Sequence, residues 1–159
     1  MSQFSQFSQA LIAFNAMYRL PVADAPNIIS SQRLRDLKKI LLDEVNEIDE
    51  VIDLVAQAEE ARDLQLPNSP DAELTALTAL ADLMGDLQVY CGSEMAKWGL
   101  PLDAVLSIIM ESNMSKLGAD GKPIYDETGK VLKGPGYWKP EPRIRALLES
   151  LYAGVDVEK

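Results

Sequence analysis

Histidine is absent from the 159 residues, and cysteine occurs once, as Cys91. A single cysteine allows no internal disulfide and no multi-cysteine zinc site, and the lack of histidine removes Ser-His-Asp catalysis, Cys-His catalysis and His-rich zinc sites. Carboxylate-centred chemistry is the main enzymatic option left. Positive charge is also scarce, since 15 Lys and Arg stand against 25 Asp and Glu for a formal net charge of -10. That field repels a nucleic-acid polymer or an anionic membrane face. A small anion can still bind where metal ions or a local basic cluster outweigh it. Residues 1 to 18 hold no base and no continuous apolar run, so neither a secretory signal nor a membrane span is readable. The expectation is a cytoplasmic protein whose 159 residues suit one domain.

What is present is helical periodicity. Phe4, Phe7, Leu11, Phe14 and Tyr18 keep helical spacing through a small Ser-Gln-Phe repeat, predicting a first helix that stops before Pro21. The loop "PVADAPNIISSQ" offers Ser30 or Ser31 as the cap of a second helix running to about residue 63. After "LQLPNSPD" a third helix, about 71 to 98, is apolar around nearly its whole circumference, the mark of a helix buried on most sides. Gly99 ends it, and a fourth helix runs from Pro101 to about Leu117. Short loops favour antiparallel neighbours, so the pattern predicts an all-α four-helix bundle. A Gly/Pro/Lys-rich segment, "GADGKPIYDETGKVLKGPGYWKPEP", follows as an ordered loop or short hairpin, and a last short helix spans about 141 to 152.

The second helix carries the chemistry. Leu34, Leu37, Leu41, Ile48, Ile52 and Val55 recur in steps of three and four, and the missing member of that apolar row is Glu44. Residues 31 to 42 carry four bases and one acid, whereas residues 43 to 53 carry six acids and no base, an order that opposes the helix macrodipole. Glu44 and Glu47 share a face, with Asp43 and Glu50 beside them. On the third helix Asp82 and Asp86 are four apart, in a stretch without Lys or Arg from Arg62 to Lys97. Unpaired buried carboxylates are costly unless they are protonated or bind a cation. Two acid pairs made only of oxygen donors suit Mg²⁺, with Mn²⁺ able to substitute. On the residues alone a solvated acidic face is the competing reading.

The stretches "LLDEVNEIDEVI" and "ALADLMGDLQVYCGSEMAKWGLPLDAVLSIIMESNMSKLGADGKPIYDETGKVLKGPGYWKP" resemble the MazG-like all-α nucleoside triphosphate pyrophosphohydrolases. The resemblance runs from about Phe14 to Pro140 and includes "FNAMYRLPV", the ExxE of Glu44 and Glu47, the "GD" ending at Asp86, and "ESNMSK" leading into "DGK" and "GKVLKG". It implies hydrolysis of a nucleoside or deoxynucleoside triphosphate to the monophosphate and pyrophosphate, with Mg²⁺ held by Glu44, Glu47 and acids of the third helix. It also implies a homodimer, or a dimer of dimers, in which two chains complete the active sites. One departure is plain: the family's ExxD needs an acid at position 83, where this chain has Leu83. Asp82, one position earlier, is then the substitute ligand, and the ligand count on that helix stays open.

Either Glu44 or Glu47 is placed to act as the base that activates water. For the phosphates, "SNMSK" sets Asn113 and Lys116 three apart on one helical face, and Lys122 and Lys133 belong to the basic region of an otherwise acidic chain. Asn15 can read a base edge, since its amide offers both a donor and an acceptor. Two readings compete with this one: phosphoribosyl-ATP pyrophosphohydrolase, which shares the fold, and a non-catalytic helical binding module.

Overall fold

A computed structural model of the chain describes residues 3–152, with side chains from residue 6 onward. Five helices account for most of it: α1 (Gln3–Met17), α2 (Ser31–Asp63), α3 (Ser69–Lys97), α4 (Leu102–Met114) and α5 (Glu141–Tyr152). Among the described residues there is no strand, and no helix is long and apolar enough to cross a membrane. The all-α expectation holds, and the helix limits fall within a few residues of those read from periodicity. The described residues gather into two compact units, one of residues 3–28 with 95–152 and one of residues 29–94.

In the unit of residues 29–94, α2 starts because Ser30 is extended and its hydroxyl accepts from the Arg33 amide at 3.2 Å. Such a cap satisfies one of the four orphan N–H groups of a helix start. α2 and α3 run antiparallel, Arg33 pairing with Glu94 near one end while Ala58 and Ala76 line one groove towards the other. Their seam is narrow. On α2 it holds Glu44, Val51, Ala58 and Ala61, the first three spaced by seven, and on α3 Ala76 and Leu83 are also spaced by seven. This is the a/d-like seam of two paired helices, narrower than the stripe of a bundle helix.

Two sequence expectations are corrected by that seam. Of the apolar row on α2, Leu34 and Ile52 are 52% and 56% exposed, so the row borders the seam without filling it. α3 is not buried on most sides within this chain, because Leu74, Leu77 and Met84 are 64%, 61% and 46% exposed. Beside them lies an open apolar groove of about 350 Å³, lined by Ile48, Ile52, Val55, Leu80 and Met84 among others.

In the other unit, α1 packs on α4 and α4 on α5. Ser8 donates its hydroxyl hydrogen to Asp103 at 2.6 Å, joining α1 to the first turn of α4. The chain before α2 is pinned by the Ala23 amide on the Ala96 carbonyl and the Asn27 amide on the Trp98 carbonyl. Gly99 makes this approach possible: its φ is +65°, and a Cβ there would lie 2.1 Å from the Ala25 oxygen. The Gly/Pro/Lys-rich segment is an ordered loop with two isolated antiparallel bridges, Leu117 to Pro123 and Tyr125 to Val131. Ser112 and Ser115 tie its end to α4 through the Trp138 carbonyl at 2.8 Å and the Trp138 amide at 3.2 Å.

Candidate metal and phosphate site

Glu44 is 8% exposed, and the charges acting on it are those of Glu47, Asp86 and Asp43, all negative. Burial first, then the Glu47 and Asp86 carboxylates, push its carboxyl above the ordinary glutamate range. A hydrogen bond from the Tyr90 hydroxyl works the other way, because a donor stabilises the charged form. The second oxygen, Oε2, is buried and has no hydrogen-bond partner. A buried orphan oxygen is costly, so the position calls for a proton or a cation.

Helical spacing explains why these groups meet. Glu47 lies one turn beyond Glu44 on α2, and Asp86 and Tyr90 lie one turn apart on α3, so one α3 face brings both a carboxylate and a phenol to Glu44. Glu47 and Asp86 are exposed at their own positions. Asp82 is exposed as well, but the α3 carboxylate that acts on Glu44 is Asp86. Position 83, where an acid would complete the ExxD spacing, is the buried Leu83, 4% exposed in the seam. Among the described residues no three potential ligands are already gathered into a coordination shell. A shell around one ion therefore asks for side-chain rotation at Glu47 and Asp86, which their exposure permits. The donor set fits a hard divalent cation: all oxygen, a net negative field and one orphaned oxygen.

Tyr90 was not legible from sequence. A tyrosine in an apolar helix is more often core than functional. The usable signal was its spacing, four residues after Asp86.

The remaining candidates lie in the other unit. Lys116 donates from Nζ to Asn113 Oδ1 at 2.7 Å, so the pair predicted to share a helical face does meet. The Gly134 amide donates to the Lys116 carbonyl at 3.2 Å, and a Cβ on Gly134 would lie 1.8 Å from the Leu117 oxygen. Glycine is what lets the returning loop pass there, placing the Lys133 backbone beside that of Lys116. The Lys133 ammonium sits over the Tyr137 ring, 4.6 Å from its centroid, and Lys122 is exposed on the turn closed by Asp120. Asn15 is wholly buried and donates to the Pro21 carbonyl at 3.5 Å. Phe14 and Tyr18 form an open aromatic pair with centroids 4.8 Å apart and are 40% and 62% exposed.

A search of solved structures finds this architecture in a protein of Exiguobacterium sp. 255-15 described as a "putative NTP pyrophosphohydrolase". The match covers 97% of this chain and 99% of that one, with a TM-score of 0.50 and 22% sequence identity. The two proteins share a fold. No family model and no curated protein sequence matches the chain. The resemblance read from the ExxE and "SNMSK" motifs is thus borne out at the level of fold.

Proposed function

We propose that the chain is an Mg²⁺-dependent nucleoside triphosphate pyrophosphohydrolase that releases the monophosphate and pyrophosphate. The observation that carries this reading is the orphaned Oε2 of buried Glu44 beside Glu47 and Asp86. The shared fold with a protein described as an NTP pyrophosphohydrolase supports it.

Glu44, Glu47 and Asp86 would hold the cation, with Asp82, one turn before Asp86 on α3, as a further candidate ligand. When bound, Mg²⁺ offsets phosphate charge and acidifies a water molecule. Glu44 or Glu47 takes the proton of the water that attacks the α-phosphorus, and the bond from that phosphorus to the bridging oxygen breaks, so pyrophosphate leaves with the electron pair. Lys116, Lys122 and Lys133, from this chain or a second copy, supply the positive charge that the carboxylates cannot. Lys116 is already ordered by Asn113. Asn15 keeps the base-reading role only if its buried amide becomes accessible, so Asn113 is the better polar candidate on geometric grounds.

The exposed leucines of α2 and α3 support a homodimer through the α2–α3 hairpin. Full burial of one such side chain stabilises by roughly 1.5–3 kcal/mol, and several stand open on one helix pair. A cytoplasmic location is kept as part of this reading. The deciding experiment is a panel of ribo- and deoxyribonucleoside triphosphates with Mg²⁺, assayed for pyrophosphate and monophosphate release. Release of inorganic phosphate with a nucleoside diphosphate, or no turnover of any member, would sink it.

A further inference from the structure

Ser112 is 2% exposed on α4, where a hydroxyl is costly unless bonded, and its partner lies outside its own helix. It donates at 2.8 Å to the carbonyl of Trp138, 26 positions away. The amide of the same Trp138 donates to Ser115 Oγ at 3.2 Å, and Ser115 donates in turn to the Ser112 carbonyl at 2.7 Å. Two serines at the end of α4 thus hold both backbone groups of one residue. Arg143 adds a third fastening, its guanidinium 3.6 Å from the Trp138 ring centroid and bonded to Glu111 of α4 at 3.2 Å. The clasp closes a loop.

Residues 116–137, inside that loop, hold four lysines and three acids, a positive balance in a chain of formal charge -10. Two of the acids are turned to the loop's own amides: Asp120 accepts from Lys122 at 3.0 Å, and Asp126 from Thr128 and Lys130, both at 2.9 Å. The Gly134 amide reaches the Lys116 carbonyl at 3.2 Å, so Lys116 at the start of the loop and Lys133 near its end lie on neighbouring backbone. The ring under the Lys133 ammonium is that of Tyr137, the residue just before the clasped Trp138. Opening the clasp frees the ring that orders Lys133.

We propose that Ser112 is a positioning residue that, by fastening Trp138 to α4, holds Lys133 beside Lys116 as one receptor for a linear oligophosphate. The inference rests on the nucleotide reading and deepens it by naming what sets the phosphate end of that site. A free lysine loses side-chain entropy on each contact, whereas two lysines on one closed loop offer their charges from a fixed backbone spacing. Such preorganisation shows in affinity.

The test is calorimetric titration of the full chain with inorganic tripolyphosphate in the presence of Mg²⁺, on wild type, Ser112→Ala, Lys133→Ala and the double variant, with a melting curve for each. Ser115→Ala, which removes the acceptor of the Trp138 amide, opens the clasp a second way should Ser112→Ala not fold. Lys133→Ala should raise the dissociation constant about tenfold, the lower end for a hydrogen bond to a charged group. Ser112→Ala should raise it nearly as much, and the double variant little more than either, because both remove the same contact. Mn²⁺ affinity without phosphate should stay at the wild-type value throughout. A lower melting temperature in Ser112→Ala with wild-type tripolyphosphate affinity would overturn the inference and leave a serine that only supports the fold. Additive losses in the double variant would overturn it too, since the serine then acts apart from Lys133. Turnover of nucleotides by the wild type is scored separately. Turnover with tripolyphosphate affinity untouched by Ser112→Ala sinks the clasp alone, whereas these affinity losses without any turnover sink the hydrolase and leave the receptor standing.

Discussion

Arg33 and Glu94, 61 positions apart in the chain, are joined by three hydrogen bonds of 2.8, 3.0 and 2.6 Å between guanidinium and carboxylate. The Glu94 side chain is 6% exposed and that of Arg33 26%, so the pair lies mostly out of water at one end of the α2–α3 hairpin. It also answers the adverse charge order of α2, since a base near the helix start is neutralised from another helix. Removing Arg33 takes three charge-assisted hydrogen bonds from the buried Glu94 carboxylate. Arg33→Ala should destabilise the protein by about 2–3 kcal/mol, allowing for the partial exposure of the guanidinium. Arg33→Lys should recover only part of this, because an ammonium cannot make the fork. Urea unfolding of the three proteins checks both claims, and a loss below roughly 0.5 kcal/mol would class the pair with ordinary surface bridges.

Glu44→Gln and Glu47→Gln should each abolish pyrophosphate release while leaving the helical signal intact, because each exchange keeps the shape and deletes a ligating charge. The pH dependence of the metal-free protein separates the two. Burial, then Glu47 and Asp86, hold the Glu44 carboxyl above its ordinary value. The folded chain thus keeps a proton there that the unfolded chain releases near the free-glutamate value of about 4.3. The stability linked to this proton is full below that value and is lost as pH rises through the raised one. In chelator-treated protein the melting temperature should fall over that window in wild type and Glu47→Gln, and run flatter in Glu44→Gln. Identical slopes in all three would mean that Glu44 ionises freely.

Asp86 and Asp82 should differ. Both are exposed, but the α3 carboxylate acting on Glu44 is Asp86, and Leu83, beside Asp82, is buried in the seam. Asp86→Asn should lower kcat/KM by about 100-fold, a loss of roughly 2.7 kcal/mol in transition-state stabilisation. Asp82→Asn should cost less and be partly rescued by excess Mn²⁺. The reverse ranking would show that α3 presents a different face to the ion.

Much of this was legible because its signals are local. Ser30 announces α2, Gly99 ends α3, and Glu44 stands out as an acid in an apolar row, though its burial comes from the seam it shares with Val51 and Ala58. The buried seam was misread because periodicity shows which residues are apolar, not how wide a stripe a partner covers. A pair of helices covers little, so Val51, Ala58 and Ala61 are buried while Leu34 and Ile52 are left out. Asn15 shows the opposite case. A polar residue four positions after Leu11 is carried into the interior because its amide finds the Pro21 carbonyl, a partner set by a turn that no spacing rule shows.

The apolar face left open on the hairpin gives a test of self-association. Leu77 is 61% exposed on α3, so an acid there costs the single chain little. Buried against a second copy, the same charge would be unpaired and costly, by several kcal/mol. Leu77→Glu should therefore shift sedimentation towards the monomer. A species of unchanged size would rule out this face as a contact between copies.

Lys116→Ala should weaken triphosphate handling far more than ion binding. The Lys116 ammonium is oriented by Asn113 Oδ1 at 2.7 Å, which fixes the side chain but leaves hydrogens free for phosphate oxygens. Loss of a charge-assisted contact of this kind costs roughly 1.5–3 kcal/mol, or about a ten- to hundredfold fall in kcat/KM. Asn113→Ala keeps the charge and loosens its aim, so its loss should be smaller and fall mainly on KM. Mn²⁺ affinity without nucleotide should hardly change in either variant, because neither side chain is an ion ligand. If Mn²⁺ binding collapses in Lys116→Ala, the lysine supports the acid set itself, and the phosphate role passes to Lys122 or Lys133. Those two are already ordered differently, Lys122 by a turn and Lys133 by the Tyr137 ring, so alanine at each would then show which of them meets the triphosphate.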